Sequence, residues 1–142
     1  MTFDKFTIKS QEALQKSAEI ATSKQQQAIE PGHILKAILE TDENVSAYLF
    51  KKLNINATIL ENKLEELVNS YPKVSGQQAY LSAASNSVLQ QAEKELREFK
   101  DEFIAVEHLL LGLLNTKDKV ATFMKDAGFE KAALIKAIKE LR

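Results

Sequence analysis

The chain has 142 residues, 44% of them hydrophobic and 27% charged, which suits one folded domain with a single core. Its 19 basic and 20 acidic residues give a net charge of −1, so its charge offers no reason to expect nucleic acid or an anionic membrane as a partner. Cysteine is absent, which excludes disulfides, thiol nucleophiles and thiolate metal sites.

Helix-forming residues fill the chain, and only four glycines and two prolines interrupt them. Domains built of β-strands need many turns, which depend on such residues, so the fold class is predicted to be all-α. Apolar residues recur at helical spacing in eight segments. In chain order, the predicted helices cover residues 8–23, 31–39, 44–53, 57–68, 81–99, 106–114, 119–126 and 130–141.

Four residues mark the ends of these helices. Thr7 and Asn56 stand where N-caps belong, before the first and fourth helices. Pro31 opens the second helix at the position that tolerates a missing N–H, and Gly128 is expected to end the seventh in a left-handed conformation. The second and sixth helices are apolar nearly all round, so both are predicted to be buried, each central to its own half.

The two halves of the chain match each other at an offset of 75 positions. This offset pairs His33 with His108 and Ser10 with Ser85, and after a one-residue slip the closing segments match as well. Agreement along both halves indicates a duplicated four-helix unit, arranged around a pseudo-two-fold axis. The predicted organisation is a first repeat, a linker and a second repeat at residues 1–69, 70–80 and 81–142.

The sequence offers little to catalysis. Phosphate-binding loops need closely spaced glycines, yet no two are closer than the 16 positions between Gly112 and Gly128. His33 and His108 each lie early in an apolar helix, where a partly buried, locally hydrogen-bonded ring is expected and a zinc ligand is the alternative. Ser85 has no neighbours that would make a catalytic triad. No catalytic residue, metal or cofactor is therefore expected in this chain.

Three segments resemble the Clp amino-terminal domain. They are FTIKSQEAL at residues 6–14, IEPGHIL at residues 29–35 and KDEFIAVEHLL at residues 100–110. The last two look most like the ClpB branch, and the resemblance runs in order over essentially the whole chain, including the duplication. It implies a domain that docks unfolded or aggregated client proteins ahead of the ATPase modules of a heat-shock disaggregase, with nothing catalysed by the domain itself.

The resemblance also implies properties of the longer protein and of this piece of it. The longer protein would use ATP and Mg²⁺, form a homohexamer in the cytoplasm and work with a DnaK-type chaperone system. This chain would be a monomer without nucleic-acid or membrane partners. Neither a basic, apolar secretion signal nor an apolar run long enough to span a bilayer occurs in the sequence, in keeping with that location. The alternatives are a domain that docks an adaptor or co-chaperone, as in ClpC- and ClpA-type unfoldases, and an enzyme.

Client contact carries over from the family to Thr7, Asp101 and Glu107, which stand in matching motifs. Each has a structural alternative. Thr7 would cap the first helix, Asp101 would fix the loop before the sixth, and Glu107 would complement the positive end of that helix. In the ClpC branch a Glu before each histidine reads phosphorylated arginine. Here Glu107 precedes His108 but Gly32 precedes His33, so a pair of such sites is not expected.

An apolar client groove is the last feature that the resemblance implies. Its candidate residues are Leu14, Leu89 and Leu109, and the alternative for all three is the core. Some groove positions that are leucine in relatives are polar in this sequence, which leaves the depth of the groove and its client preference open. These polar positions are Gln91, Glu95 and His108.

Overall fold

The computed structural model describes residues 3–74, 76 and 78–142. The all-α prediction is confirmed, with eight α-helices in the described residues and a short 3-10 helix before them at Phe3–Lys5. The first four are α1 (Ile8–Ser23), α2 (Pro31–Thr41), α3 (Glu43–Leu53) and α4 (Ala57–Ser70). The other four are α5 (Ala83–Phe99), α6 (Val106–Leu114), α7 (Lys119–Ala127) and α8 (Lys131–Leu141).

The predicted helix ends are confirmed where a capping residue marks them. The Thr7 hydroxyl accepts a hydrogen bond from the Ser10 amide at 3.2 Å, and the Asn56 side chain accepts one from Ile59 at 3.1 Å. Gly128 follows α7 with a φ of 125°, a conformation that glycine adopts without the steric conflict of a Cβ.

Two short strands were not predicted, and they correct the start of α5. β1 (Ala28–Ile29) and β2 (Tyr80–Leu81) pair in parallel, so Leu81 belongs to a strand and not to the fifth helix. The helix begins two residues later because the Ser82 hydroxyl accepts from the Ser85 amide at 3.1 Å and caps it. Glu130 likewise lies just outside α8, and its carboxylate accepts amide hydrogen bonds from the first turn of that helix.

The two repeats meet through the same contacts made twice. The Ser10 hydroxyl donates to the carbonyl oxygen of Ile104 at 2.7 Å, and its counterpart Ser85 donates to the carbonyl oxygen of Ile29 at 2.6 Å. Ile29 and Ile104 are themselves 75 positions apart. Such reciprocal contacts are what a two-fold axis requires, and they support the duplicated arrangement. The exact repeat and linker boundaries, 1–69, 70–80 and 81–142, stay predictions.

The centre of the fold is built on α2 and α6, as predicted. Every residue of α6 except Glu107 is buried, and α2 is buried from Pro31 through Leu35. α6 packs along α5 and α2 along α1, so each repeat has its own central pair. In the part of the chain that the structure describes, no helix combines the length and the apolarity needed to cross a membrane.

Candidate functional site

The three leucines predicted to line an apolar groove lie in the core. Leu14 is 6% exposed, Leu89 is 2% exposed and Leu109 is fully buried. Side chains with so little exposed area have no surface to offer another protein in this conformation. The structure therefore supports the alternative in which all three residues stabilise the fold.

The polar positions near that predicted groove mostly face the interior as well. Glu95 is buried, and its carboxylate accepts from the Asn115 side chain at 3.1 Å and pairs with Lys131 at 3.5 Å. His108 is buried too, whereas Gln91 is half-buried. Glu95 and His108 each have hydrogen-bond partners within the fold, so neither lines an open apolar channel.

Thr7 lies at the seam between the repeats, where the start of α1 meets the loop before α6. It caps α1, which is the structural role expected for it from the sequence. Its amide donates to the carbonyl oxygen of Ile104 at 2.9 Å, and its hydroxyl also contacts that of Ser10 at 3.0 Å. The residue is half-buried. The hydroxyl is therefore held in a fixed position close to the loop that carries Asp101.

His108 has a defined tautomer. Its Nδ1 accepts from the Ala105 amide at 2.8 Å, which leaves the proton on Nε2, and Nε2 donates to Asp101 Oδ2 at 2.8 Å. Burial lowers the pKa of His108, and the hydrogen bond to Asp101 offsets only part of that effect. The ring is therefore neutral at pH 7, and its two nitrogens are both engaged in holding the loop to α6.

Arg142 pairs with Asp101 and Glu107, the two carboxylates to which the family resemblance assigned client contact. One guanidinium nitrogen, Nη1, lies 2.5 Å from Asp101 Oδ2, and Nη2 lies 3.1 Å from Glu107 Oε2. The guanidinium carbon is 5.3 Å from the centre of the Phe99 ring, which itself meets His108 edge-on. We call Phe99, Asp101, Glu107 and His108 the acidic niche.

The charges in the acidic niche stabilise one another. Burial alone would raise the pKa of Asp101, but hydrogen bonds from Arg142 and His108 outweigh it and hold that pKa below its usual range. Burial would lower the pKa of Arg142, and the bonds to Asp101 and Glu107 raise it instead. Asp101 and Arg142 are therefore both ionised at neutral pH.

The first repeat holds its histidine in the same way. His33 Nδ1 accepts from the Glu30 amide at 2.9 Å, and Nε2 lies 2.6 Å from the side-chain oxygen of Gln26. Burial, followed by the nearby Lys24, lowers the pKa of His33 to about 4. Both histidines are more deeply buried than expected, and each ring uses both nitrogens locally. Among the described residues, no group of three or more His, Asp or Glu side chains is arranged to hold a metal.

The counterpart of the acidic niche in the first repeat is neutral and filled. Gln26 stands at the position equivalent to Asp101, and Gly32 stands at the position equivalent to Glu107. The ring of Tyr71 lies 5.0 Å from that of His33, and its hydroxyl lies 2.5 Å from where a Cβ on Gly32 would be. A side chain at position 32 would therefore require Tyr71 to move.

Two exposed apolar side chains close in the chain to the contact between Thr7 and Ile104 were missed from the sequence. Ile8 is 75% exposed and Phe103 is 48% exposed. Ile8 follows Thr7 in the chain and Phe103 precedes Ile104. The amide of Thr7 donates a hydrogen bond to the carbonyl oxygen of Ile104 across the seam. The available signal was that Ile8 lies off the apolar stripe of α1. The candidate surface therefore comprises Thr7, Ile8, Asp101, Phe103 and Glu107.

Comparison with known proteins agrees with this architecture. The profile of a family described as Clp repeat (R) N-terminal domain matches residues 5–127. Over its whole length the chain is 46% identical to chaperone protein ClpB of Bacteroides thetaiotaomicron and 41% identical to that of Porphyromonas gingivalis. It spans 16% of the length of each. The Hsp104 N-terminal domain from Candida albicans has the same fold, with a TM-score of 0.83 and 22% identity, over 98% of this chain and 92% of that one.

Proposed function

This chain belongs to the Clp repeat N-terminal domain family, and we propose that it is the client-binding domain of a ClpB-type ATP-dependent disaggregase. The observation that carries the proposal is the exposure of two apolar side chains, Ile8 and Phe103, whose chain neighbours Thr7 and Ile104 are hydrogen-bonded to each other. Unfolded and aggregated proteins expose the apolar segments that folded proteins bury, and such a pair offers them a place to bind. Thr7, Asp101 and Glu107 would orient the bound segment.

Binding at this surface would be weak and reversible. Only two large apolar side chains are exposed in it, so little apolar area is removed from water when a client binds. The surface is also rigid, because Thr7 and Ile104 join the start of α1 to the loop before α6. A rigid site loses little conformational entropy on binding. Weak capture suits a domain whose clients must leave for the next step.

The longer protein would supply the chemistry. We propose that ATP and Mg²⁺ act in ATPase modules outside this chain, that these modules form a homohexamer, and that a DnaK-type chaperone system cooperates with it in the cytoplasm under heat stress. A domain on a flexible tether keeps its captured client at high local concentration near the ring without tight binding.

The test is an amide NMR titration of the 142-residue chain with a permanently unfolded protein. Shifts are expected at Thr7, Ile8 and Phe103, and the variants Ile8→Ser and Phe103→Ser are each expected to weaken binding several-fold. Ile59→Ser is the matched control, because Ile59 is 47% exposed in α4 and lies outside the candidate surface.

Three outcomes would count against the proposal. Equal weakening by Ile8→Ser and by the Ile59→Ser control would indicate unspecific adhesion. No shift at any concentration of unfolded protein would remove client binding altogether. Capture of one folded partner, without any preference for unfolded chains, would replace it with adaptor docking.

A further inference from the structure

We propose that α8 of one chain docks into the groove between α2 and α4 of a second copy, so that copies associate head to tail through opposite charges. The inference goes beyond client binding, because it involves neither Ile8 nor Phe103 and requires no client. It begins from a difference between α4 and α8, the two helices that close the repeats.

α4 and α8 occupy equivalent places in the two repeats but carry opposite charges. After the one-residue slip that aligns the closing segments, Glu65 corresponds to Lys139 and Asn62 to Lys136. α4 contains three glutamates and one lysine, a charge of −2, whereas α8 contains three lysines and one glutamate, a charge of +2. Two copies of the same helix therefore repel each other, while α4 of one chain attracts α8 of another.

The surface beside α4 is a groove with apolar and acidic walls. It lies between α2 and α4 and has a volume of about 370 Å³. Its lining includes two leucines, three glutamates and one lysine, which are Leu39, Leu64, Glu40, Glu61, Glu65 and Lys36. The groove is therefore open to a convex partner that brings small apolar side chains together with positive charges.

Part of the acidic charge of this groove is neutralised within the chain. Lys36 pairs with Glu65 at 2.9 Å and with Glu40 at 3.5 Å, and Lys24 of α1 also reaches Glu65 at 3.4 Å. Glu61, by contrast, is exposed and makes no ion pair within the described residues. Glu61 is therefore the carboxylate most available to a positive charge from another molecule.

α8 forms a ridge whose character matches the groove. On one side it borders a groove shared with α5, lined by Lys131 and Lys139, and on the other a groove shared with α3, lined by Lys136. Ala132 and Ala133 lie between these lysines and are not buried, so the small side chains let the helix approach a partner closely. The alanines would meet the apolar wall and the lysines the acidic one, which is the usual arrangement of an apolar centre and a polar rim.

The predicted contact is weak but can be extended. One helix in one groove buries less area than a stable dimer needs, so the isolated chain associates only transiently. A head-to-tail contact leaves a free α8 on one copy and a free groove on the other, and it therefore continues from copy to copy into a ring or a filament. Copies held together in one assembly would reach a local concentration at which such a contact persists.

The experiment detects this transient contact with a spin label. The sequence contains no cysteine, so Thr58→Cys carries the label at one defined position, which is exposed, one turn before Asn62 in α4 and outside the groove lining. The labelled copy is mixed with an isotope-labelled wild-type chain, and broadening of the amide signals of the second copy is measured by NMR. Broadening is expected at Ala132 and Lys136. It should fade as the salt concentration rises from about 0.1 M to about 1 M, because the Debye length falls from about 10 Å to about 3 Å.

Charge exchange makes the test specific. Lys136→Glu in the observed copy is expected to reduce the broadening several-fold, and Glu61→Lys added to the spin-labelled copy should restore it, because the two charges have changed places. Lys117→Glu is the matched control, since Lys117 is exposed in the loop between α6 and α7 and its replacement changes the net charge equally. All three substitutions replace exposed side chains, so each variant should keep the dispersed amide spectrum of the folded chain.

Four outcomes would overturn the inference. Broadening of α4 in place of α8 would indicate that like helices pair. Equal broadening from a label at Ser87→Cys, which is exposed in α5 and outside both surfaces, would indicate unspecific encounters. Equal losses with Lys136→Glu and Lys117→Glu would indicate only a dependence on net charge. Absence of any broadening at millimolar concentration would exclude the contact.

Discussion

Gly112 in α6 packs so closely against α5 that a methyl group does not fit between them. A Cβ at this position would lie 2.5 Å from the carbonyl oxygen of Val88 and 3.1 Å from the amide nitrogen of Ala92. Both are backbone atoms, which cannot rotate away as a side chain can. We therefore predict that Gly112→Ala destabilises the protein, although alanine is the better helix former.

The magnitude follows from two opposing effects. Alanine stabilises a helix interior by about 1 kcal/mol relative to glycine. Overpacking a core costs about 1–3 kcal/mol, and a 2.5 Å approach to a backbone atom places Gly112→Ala at the upper end of that range. The net expectation is a loss of about 2 kcal/mol in the free energy of unfolding, which lowers the thermal midpoint of a chain of this size by roughly 4–8 °C.

Urea unfolding followed by circular dichroism measures this change, with a thermal scan as a second readout. Ala37, the counterpart of Gly112 in the first repeat, is fully buried, and the reverse substitution at this position is the matched control. Ala37→Gly should also destabilise, by about 1–2 kcal/mol, because helix propensity and a buried methyl are lost. A Gly112→Ala protein as stable as wild type would refute the close approach of α5 and α6.

The remaining predictions concern the core, pH and the difference between the repeats. Leu110→Ala or Leu113→Ala should each lose about 2–5 kcal/mol in urea unfolding, since both leucines are buried, and a change near zero would contradict the central place of α6. Burial holds the pKa of His33 at about 4, below its value in the unfolded chain, so the folded state binds this proton less readily. The resulting stability is fully present above about pH 6.5 and falls by at most about 3 kcal/mol as pH drops toward 4. His33→Gln should flatten the difference in unfolding free energy between pH 7 and pH 4.5, and an equal loss in both proteins would contradict this origin. Gly32→Ala should lower the thermal midpoint, because the added methyl group would meet the Tyr71 hydroxyl. The loss of stability should be smaller in a Tyr71→Phe background. Strictly additive losses from the two substitutions would show that residues 32 and 71 do not touch.

The helix boundaries were predictable because their determinants are local. Thr7, Asn56 and Gly128 act within a turn of their own position, through one side-chain bond or one backbone angle, so the sequence is enough to place them. The pairing of Ile29 with Leu81 is different in kind. A two-residue strand has no alternation to detect, and its partner lies in the other repeat.

The acidic niche was only half predictable for a similar reason. Asp101 and Glu107 stand in motifs with recognisable neighbours, whereas Arg142 reaches them from 41 and 35 positions away along the chain. Tyr71 falls in the predicted linker, and nothing local indicates that it packs on His33. Helical periodicity likewise marks Leu14 as apolar-facing but does not distinguish a core from a groove.

The duplication explains why the chain would hold one site and not two. The contacts at the seam involve both repeats, and Ser10 and Ser85 make equivalent hydrogen bonds there. The surroundings of His33 and His108 each belong to one repeat, so they can differ. With Tyr71 against Gly32, a carboxylate at position 32 would require Tyr71 to move, because the two would occupy the same space. Under the proposed function, one client-binding surface per chain would give weak binding, and retention of a client would then draw on several chains in one assembly, as the proposed ring would provide.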